Sequence, residues 1–302
     1  MNLTRWAGPL AGGIVAALLF LPDSAAARCD DFVPGPKPQN TSRDFVGHDL
    51  DTILDRGWMA FAVYEDYPPY SWEDGSTPRG VDIEIGQLIA ESIGVEARFM
   101  FVSAAENLEA DLRNHVWKGP LIGGRVANVM LHVPYDSDFA CRVEQVVFTG
   151  QAYGESIAIA YDQATYPDEK PVPAYFRFDT VGVENDTISD FYLSALGRGQ
   201  LRANIRRYPS YTAAMEALTA GEVKAVMGPR AELEHRLTDA IGLHEPPLPG
   251  FGKGSWTLGV AVHQAYRPLS YSVDAAIEDA LADGQIEQIF ADHGLTFTKP
   301  VR

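Results

Sequence analysis

Short apolar segments alternate with amphipathic helical segments along most of this 302-residue chain. Residues 59–63 form a short β run, and a helical segment that opens at Asp82 repeats apolar residues at three- and four-residue spacing until Gly94. The same alternation returns from Thr180 onward. Strands that alternate with helices are typical of parallel sheets covered by helices, so we predict an α/β fold.

Two apolar β runs, residues 156–161 and 258–262, lie far apart in the chain. Each alternates small and branched side chains, as expected of a strand. In a chain with two lobes, such runs would cross from one lobe to the other. We expect residues 28–157 and 259–302 to form lobe 1 and residues 158–258 to form lobe 2.

The first 27 residues have the anatomy of a signal peptide. Arg5 supplies a positive charge, residues 10–21 form an apolar core, and residues 24–27 are Ser-Ala-Ala-Ala. An apolar core of this length is too short to span a bilayer. We expect cleavage after Ala27, a periplasmic location and no membrane insertion.

Acidic residues outnumber basic ones by 41 to 24, which gives a formal net charge of −17. An excess of negative charge disfavours binding to nucleic acid or to an anionic membrane surface. It favours a basic protein partner or none.

Cys29 and Cys141 are the only two cysteines. In an oxidising compartment they are expected to pair. Such a disulfide would close a long loop, worth roughly 4 to 5 kcal/mol in the chain-entropy model. Two free thiols are the alternative.

Six segments, in the right order, resemble the family 3 periplasmic solute-binding proteins, which deliver polar amino acids to ABC importers. They are residues 67–72 (Tyr-Pro-Pro-Tyr-Ser-Trp), 80–86 (Gly-Val-Asp-Ile-Glu-Ile-Gly), Arg142 with Phe148-Thr149, 181–183 (Val-Gly-Val), 216–226 and 284–289. The resemblance implies an α/β type II periplasmic binding protein fold, with two Rossmann-like lobes joined by two hinge strands.

The amino-acid site of that family is incomplete in this chain. Arg142 matches the family's Arg, which binds the ligand's α-carboxylate through two hydrogen bonds. Phe139 stands where an assisting Thr is expected, and Pro229 stands where an acidic residue holds the ligand's ammonium group. Thr187 matches a helix-start Thr whose amide meets an anion.

Residues 130–136 (Met-Leu-His-Val-Pro-Tyr-Asp) are similar to the J proteins encoded beside quinoprotein methanol dehydrogenases, the MxaJ and XoxJ group. The similarity is closer to the lanthanide-linked XoxJ branch. It implies an accessory role in the activation or maturation of the dehydrogenase. The implied partners are a methanol dehydrogenase subunit and its cytochrome c.

The candidate binding residues lie on segments expected to face a cleft between the lobes. They are Tyr67, Tyr70, Trp72, His132, Tyr135, Arg142 and Thr187. The aromatic members predict a wide apolar cleft suited to a protein segment, although packing against the first strand would also explain them. His132 is placed on a loop. The seven histidines lack the spacing of metal ligands, so we predict no metal and no cofactor.

These features predict a monomeric, non-catalytic accessory protein of a methanol dehydrogenase system. The first alternative is an ABC-importer receptor for a small non-amino-acid carboxylate bound by Arg142. A second alternative is an enzyme on this fold. It would need a cleft carboxylate with a perturbed pKa, and the sequence nominates none.

Overall fold

The computed structural model describes residues 47–120 and 125–301. The predicted signal peptide and Cys29 lie outside the described residues, so the disulfide between Cys29 and Cys141 stays a prediction. Among the helices of the described ranges, none is both long and apolar enough to cross a membrane.

The first part of the chain builds most of one lobe. Its elements are α1 (Leu50–Arg56), β1 (Trp58–Tyr64), β2 (Trp72–Asp74), β3 (Thr77–Arg79), α2 (Val81–Ile93), β4 (Glu96–Val102), α3 (Leu108–Leu112), β5 (Val129–Pro134), α4 (Ser137–Arg142) and β6 (Val146–Asp162). Asp49, Asn107 and Asp136 begin α1, α3 and α4, and the side chain of each accepts a hydrogen bond from a backbone N–H of the first turn.

The second lobe follows β6, and the chain then returns to the first. The second lobe contains β7 (Val181–Glu184), α5 (Ile188–Ala195), β8 (Ile205–Tyr208), α6 (Tyr211–Thr219), β9 (Ala225–Pro229), α7 (Arg230–Glu234) and β10 (Ile241–His244). The returning elements are β11 (Ser255–His263), α8 (Arg267–Ala282) and α9 (Gln285–Asp292). Thr187 and Ser210 cap α5 and α6 through their side chains, and Thr187 is the helix start that the sequence predicts.

One strand belongs to the sheets of both lobes. The strand order is β4-β1-β5-β11-β6-β9-β7-β8, and β10 also pairs with β6. β6 pairs with β11 as far as Ser156 and with β9 from Ile157 onward. β11 pairs with β5 and β6, so residues 258–262 lie within the first sheet, while residues 156–161 span the junction.

The two sheets are mixed rather than purely parallel. β1 is parallel to β4 and β5, and β7 is parallel to β8 and β9. β11 runs antiparallel to β5 and β6, because it returns from the second lobe to the first. The alternation of strands and helices along the sequence predicts the parallel pairs, but it does not predict the direction of a strand that returns from one lobe to the other.

Each lobe has its own apolar core. In the first lobe, α2, α8 and α9 bury Ile85, Ile89, Val273, Ile277 and Phe290 against one face of the sheet. In the second lobe, Ile159, Leu193 and Met227 lie in one cluster, and Met215 and Leu218 lie in another. Burying a side chain of this size stabilises the fold by roughly 1.5 to 3 kcal/mol, so each lobe has the apolar contacts that an independent core needs.

Gly80 allows the loop after β1 to dock on the start of α2. Its φ is +119°, and a Cβ at this position would lie 2.2 Å from the carbonyl oxygen of Tyr70. The N–H groups of Val81 and Asp82 donate to the carbonyl oxygens of Pro69 and Tyr70, at 3.0 and 2.9 Å. These contacts fix the loop of residues 65–71, which we call the tyrosine loop, beside the helix.

We expect Gly80→Ala to lower the free energy of unfolding by about 2 kcal/mol or more, because the substitution combines backbone strain with a clash against a carbonyl group. Urea denaturation measures the change. Gly252→Ala is the control, since a Cβ at Gly252 meets nothing within 4 Å and its φ is not positive. Equal stability of the two variants would show that the loop does not approach α2 this closely.

Candidate functional site

His132 lies in β5 and not on a loop, so that part of the prediction is wrong. Its φ is +59°, which is uncommon for a residue with a side chain. The register between β5 and β11 shifts between Gly259 and Ala261, as it does at a β-bulge. Bulges re-aim side chains near functional sites. Here the bulge places the imidazole against α2 and the tyrosine loop.

His132, Asp82 and Tyr153 form a hydrogen-bonded group. The hydroxyl of Tyr153 donates to Oδ1 of Asp82 at 2.8 Å, and Nδ1 of His132 lies 3.0 Å from Oδ2 of Asp82 and 3.0 Å from the hydroxyl of Tyr153. A carboxylate only accepts hydrogen bonds, so His132 donates through Nδ1. Asp82 lies in the first turn of α2, where unpaired N–H groups favour negative charge.

Four tyrosine rings surround the imidazole of His132. The centroid of the imidazole lies 4.3 Å from that of Tyr70, 5.0 Å from that of Tyr67, 6.3 Å from that of Tyr153 and 6.4 Å from that of Tyr64. The ring of Tyr70 also stacks on Tyr153 at 6.0 Å. Offset and edge-on contacts of this kind are favourable for aromatic rings. The predicted grouping of Tyr67, Tyr70 and His132 therefore corresponds to one cluster in the structure.

The hydroxyl ends of this cluster meet carboxyl groups. Tyr67 donates to Oε1 of Glu232 at 3.2 Å, and Tyr70 donates to Oε2 of Glu155. Tyr67 belongs to the first lobe and Glu232 to α7 of the second, so this bond joins the two lobes directly. The sequence predicts a wide apolar cleft, whereas the tyrosines here end in polar contacts between the lobes.

Glu155 lies at the junction of the two sheets. Besides Tyr70, its carboxyl accepts from the N–H of Ser156 at 2.7 Å and from the N–H of Arg230 at 3.1 Å. Tyr70 belongs to the first lobe, Ser156 to the crossing strand, and Arg230 to α7 of the second lobe. A single buried carboxyl thus contacts all three parts of the fold.

Burial changes the acidity of three carboxyl groups around this junction. Desolvation raises the pKa of Glu155 and of Glu184. It raises the pKa of Glu232 further, because the charges of Glu184 and Glu155 oppose its ionisation as well. The same effects, burial first and then the neighbouring carboxylates, raise the pKa of the Tyr67 hydroxyl. Glu155, Glu184 and Glu232 are thus carboxyl groups with a perturbed pKa that the sequence analysis does not identify.

Thr187 is engaged within its own lobe. Its hydroxyl donates to the carbonyl oxygen of Glu184 at 2.8 Å and accepts from the hydroxyl of Tyr211 at 3.1 Å. The N–H of Tyr211 donates to the carboxyl of Glu184 at 3.1 Å. Thr187 therefore lies beside the acidic groups of the site, as the helix-start residue that the sequence predicts.

Arg142 lies apart from the tyrosine cluster. It is exposed at the end of α4, and its guanidinium lies 5.5 Å from the ring centroid of Phe139. The guanidinium of Arg142 thus lies near a ring of its own helix. Its predicted part in binding a carboxylate stays a prediction.

Two other predicted residues lie at the margin of the site. Trp72 packs between His235 of the second lobe and His293 of the first, with ring centroids 5.8 and 6.1 Å away. Tyr135 is half-buried, and its N–H donates to the carbonyl oxygen of Thr257 at 2.8 Å. Trp72 adds a contact between the lobes, and Tyr135 joins the end of β5 to β11.

The C-terminal segment also contacts both lobes. Thr296 donates to Glu234 of α7 through its N–H at 2.8 Å and its hydroxyl at 2.7 Å. The carbonyl oxygen of Thr298 accepts from the N–H of Gly154 at 2.8 Å. The N–H of Val301 donates to the hydroxyl of Thr257 at 3.2 Å. The segment therefore lies along the strands that join the lobes.

The sequence contains a signal for the missed carboxyls, although a weak one. Glu155 stands within β6 shortly before the apolar residues 157–161, and Glu232 stands between Ala231 and Leu233 in a short helix. An acid beside apolar residues of a strand or helix can be a buried polar group that must find partners. Those partners come from distant parts of the chain, so spacing alone does not reveal them.

The fold resembles that of solved periplasmic binding proteins. An ancestral cationic amino acid solute-binding protein superposes with a TM-score of 0.67 at 16% identity, covering 81% of this chain and 99% of that one. An amino acid ABC transporter substrate-binding protein from Streptococcus pneumoniae, bound to L-arginine, gives 0.60 at 18% identity, covering 83% and 98%. A histidine kinase sensor domain with similarity to periplasmic binding proteins gives 0.56 at 20% identity, covering 80% and 97%.

No protein-family model and no curated protein matches the sequence. At these identities the superpositions show the fold alone. The predicted fold class, two α/β lobes of the periplasmic binding protein kind, is confirmed.

We expect Tyr67→Phe to lower the free energy of unfolding by about 1 to 3 kcal/mol, because it removes the hydrogen bond to a carboxyl buried between the lobes. Urea denaturation measures the loss. Tyr175→Phe is the matched control, since the hydroxyl of Tyr175 donates to exposed Glu169 at 2.6 Å. The control should change stability by less than about 0.5 kcal/mol. Similar losses in both variants would contradict a special role for Tyr67.

Glu232 should make stability fall as pH rises. Its folded pKa lies above the ordinary value of 4.5, so the folded state keeps a proton that the unfolded state has already released. Its contribution is therefore complete below about pH 4.5 and is lost as pH rises toward the folded pKa, with a slope of up to about 1.4 kcal/mol per pH unit. Glu232→Gln stays neutral and should gain stability relative to the wild type between pH 4.5 and 8.

Chemical denaturation at several pH values measures this difference. Taking the difference between variant and wild type cancels the contributions of the other titrating groups. Exposed Glu216 provides the control, because Glu216→Gln makes the same chemical change outside the buried site. A flat difference for Glu232→Gln would show that Glu232 ionises normally in the folded protein.

Proposed function

We propose that this chain is a non-catalytic, exported binding protein that acts as an accessory of a quinoprotein methanol dehydrogenase. The observation that supports this best is that the chain's own side chains bridge its lobes where a solute would lie. Tyr67 binds Glu232 across the lobes, and Tyr70 binds Glu155 at their junction. A receptor must admit and release its solute there, whereas a protein that docks a partner on its outer surface need not.

The site chemistry disfavours a small carboxylate as ligand. Burial raises the pKa of Glu155 and Glu184, and burial together with the charges of these two carboxyls raises the pKa of Glu232, so a further carboxylate would meet repulsion. Arg142, which would have to bind it, is exposed at the end of α4. The importer receptor for a carboxylate is thus the weaker proposal.

The same carboxyls do not favour an enzyme. A general acid or base must reach a substrate, but the oxygens of Glu155 are engaged by one hydroxyl and two backbone N–H groups. Oε1 of Glu232 is engaged by Tyr67. Their raised pKa values are accounted for by burial between the lobes.

The choice of a methanol dehydrogenase depends on the similarity of residues 130–136 to the J proteins. The proposal also takes residues 1–27 as a signal peptide, and residues 28–157 with 259–302 and 158–258 as the two lobes. In this account His132, placed by the bulge in β5, holds the tyrosine loop in place. The two lobes, joined by the bonds of Tyr67 and Tyr70, present a fixed outer surface.

A second candidate function is a receptor for a small cationic solute. Three carboxyl groups near Tyr67, Tyr70 and Tyr211 would suit a cation if the lobes opened. Two of the structures named above also concern cationic ligands: one is an ancestral cationic amino acid solute-binding protein, and the other is bound to L-arginine. This candidate needs the Tyr67–Glu232 bond to break on binding.

Binding of the purified, processed protein to a purified quinoprotein methanol dehydrogenase, measured by calorimetry, tests the proposal. We expect a complex with a Kd in the micromolar range or tighter, about −8 kcal/mol. An acidic periplasmic protein of similar charge serves as the control and should not bind. Absence of a complex at protein concentrations well above this range would overturn the proposal.

A thermal-shift screen with L-arginine and small organic acids separates the alternatives. A solute at a hundred times its Kd adds about 2.7 kcal/mol of stability, and we expect none to do so. Stabilisation by an organic acid that is lost in Arg142→Ala would favour the carboxylate receptor. Stabilisation by L-arginine that is lost in Glu184→Gln would favour the cation receptor.

A further inference from the structure

Helix α5 buries Tyr192 and Leu193 in the core of the second lobe and leaves an apolar row exposed on another side. Ile188, Phe191 and Ala195 recur at three- and four-residue spacing and are exposed, with Phe191 61% and Ile188 44% exposed. Ser189 and Asp190 on the same helix are buried. A phenylalanine left in water forgoes roughly 1.5 to 3 kcal/mol of burial. The exposed row is therefore unfavourable for an isolated lobe.

A row of arginines lies directly beside this apolar row. Arg207 binds buried Asp190 through two hydrogen bonds, of 2.7 and 2.8 Å, and also reaches the hydroxyl of Ser194 at 2.8 Å. Arg202 donates through Nε to the carbonyl oxygen of Ser194 at 3.0 Å. Ser194 lies one turn after Phe191 on α5, so the two guanidinium groups lie along one side of the exposed row.

The local charge opposes that of the whole chain. Residues 191–215 contain four arginines and no aspartate or glutamate, within a protein of net charge −17. Asp190 pairs with Arg207, while Arg198 and Arg202 are exposed beside the end of α5. The surface formed by Ile188, Phe191, Ala195, Arg198 and Arg202, which we call the α5 patch, is apolar at its centre and positive along one side.

Protection of a sheet edge does not account for this arrangement. β8 is the edge strand of the second lobe, and exposed Arg206 and Arg207 lie on it, where charges discourage pairing with another strand. Arg198 and Arg202 precede that strand and lie next to α5. Charge that served solubility alone would not adjoin an exposed phenylalanine.

We propose that the α5 patch is a docking surface for an acidic protein surface with an apolar centre. Apolar contact would supply the affinity, and the arginines would select a partner with carboxylates along the matching side. The proposal takes from the proposed function only that the partner is a protein. It assigns the contact to helix α5 of the second lobe, and it requires an acidic partner although the net charge of the whole chain favours a basic one.

A labelled amphipathic helical peptide with a leucine face flanked by glutamates is a suitable probe, and the same peptide with lysines in place of glutamates is its counterpart. Fluorescence anisotropy at low salt should show that the acidic peptide binds the wild-type protein at least tenfold more tightly than the basic one. The double variant Ile188→Ser, Phe191→Ser should lose this binding at least tenfold. Arg198→Glu combined with Arg202→Glu should reverse the preference between the peptides.

Tyr271→Ser on α8 is the matched control, because Tyr271 is 68% exposed and lies in the first lobe. It should bind the acidic peptide as the wild type does. Circular dichroism and thermal melts confirm that each variant is folded. Equal binding by the serine double variant and the wild type would overturn the patch, as would failure of the wild type to prefer the acidic peptide.

The same variants, titrated with the methanol dehydrogenase, distinguish this inference from the proposed function. If the wild type and the serine double variant bind the dehydrogenase equally, the patch is wrong and the proposed function stands. If the wild type binds the acidic peptide through the patch but not the dehydrogenase, the patch stands and the named partner is wrong.

Discussion

The contacts of one buried carboxyl, that of Glu155, tie this fold together. β6 leaves the first sheet at Ser156 and enters the second at Ile157, so Glu155 lies where the chain changes lobes. Its oxygens meet a tyrosine hydroxyl of the first lobe and a backbone N–H of the second. Leaving a buried carboxyl without hydrogen-bond partners would cost about 1 to 3 kcal/mol or more. Because the partners of Glu155 come from both lobes, these bonds hold each lobe to the strand that joins them.

The tyrosine loop depends on the same constraint. Gly80 lets the loop lie against α2, and the loop then presents Tyr67 and Tyr70 to the carboxyls of α7 and β6. The bulge in β5 places the imidazole of His132 against the rings of Tyr67 and Tyr70. Backbone conformation, aromatic packing and buried charge therefore support one arrangement, in which the lobes contact each other through their own side chains.

The sequence predicts the fold better than the site, for a physical reason. The helix start at Thr187, the stop at Gly94 and the strand at 59–63 depend on neighbours in the chain, and the structure agrees with them. Tyr67, Tyr70 and His132 are each candidates on segments expected to face a cleft, and the structure brings them together. Glu155 and Glu232 are missed because their partners lie 85 and 165 positions away. The bulge at His132 is missed because it depends on a register with β11.

The C-terminal segment has a practical consequence for anyone who handles this protein. Residues 296–301 follow the strands at the junction and bond to α7, to β6 and to β11. A fluorophore attached within residues 296–301 would thus lie beside the hinge, where added bulk competes with the segment for its place. An attachment site at Gly94, at the end of α2 opposite Asp82 and with nothing within 4 Å of a Cβ, avoids this segment.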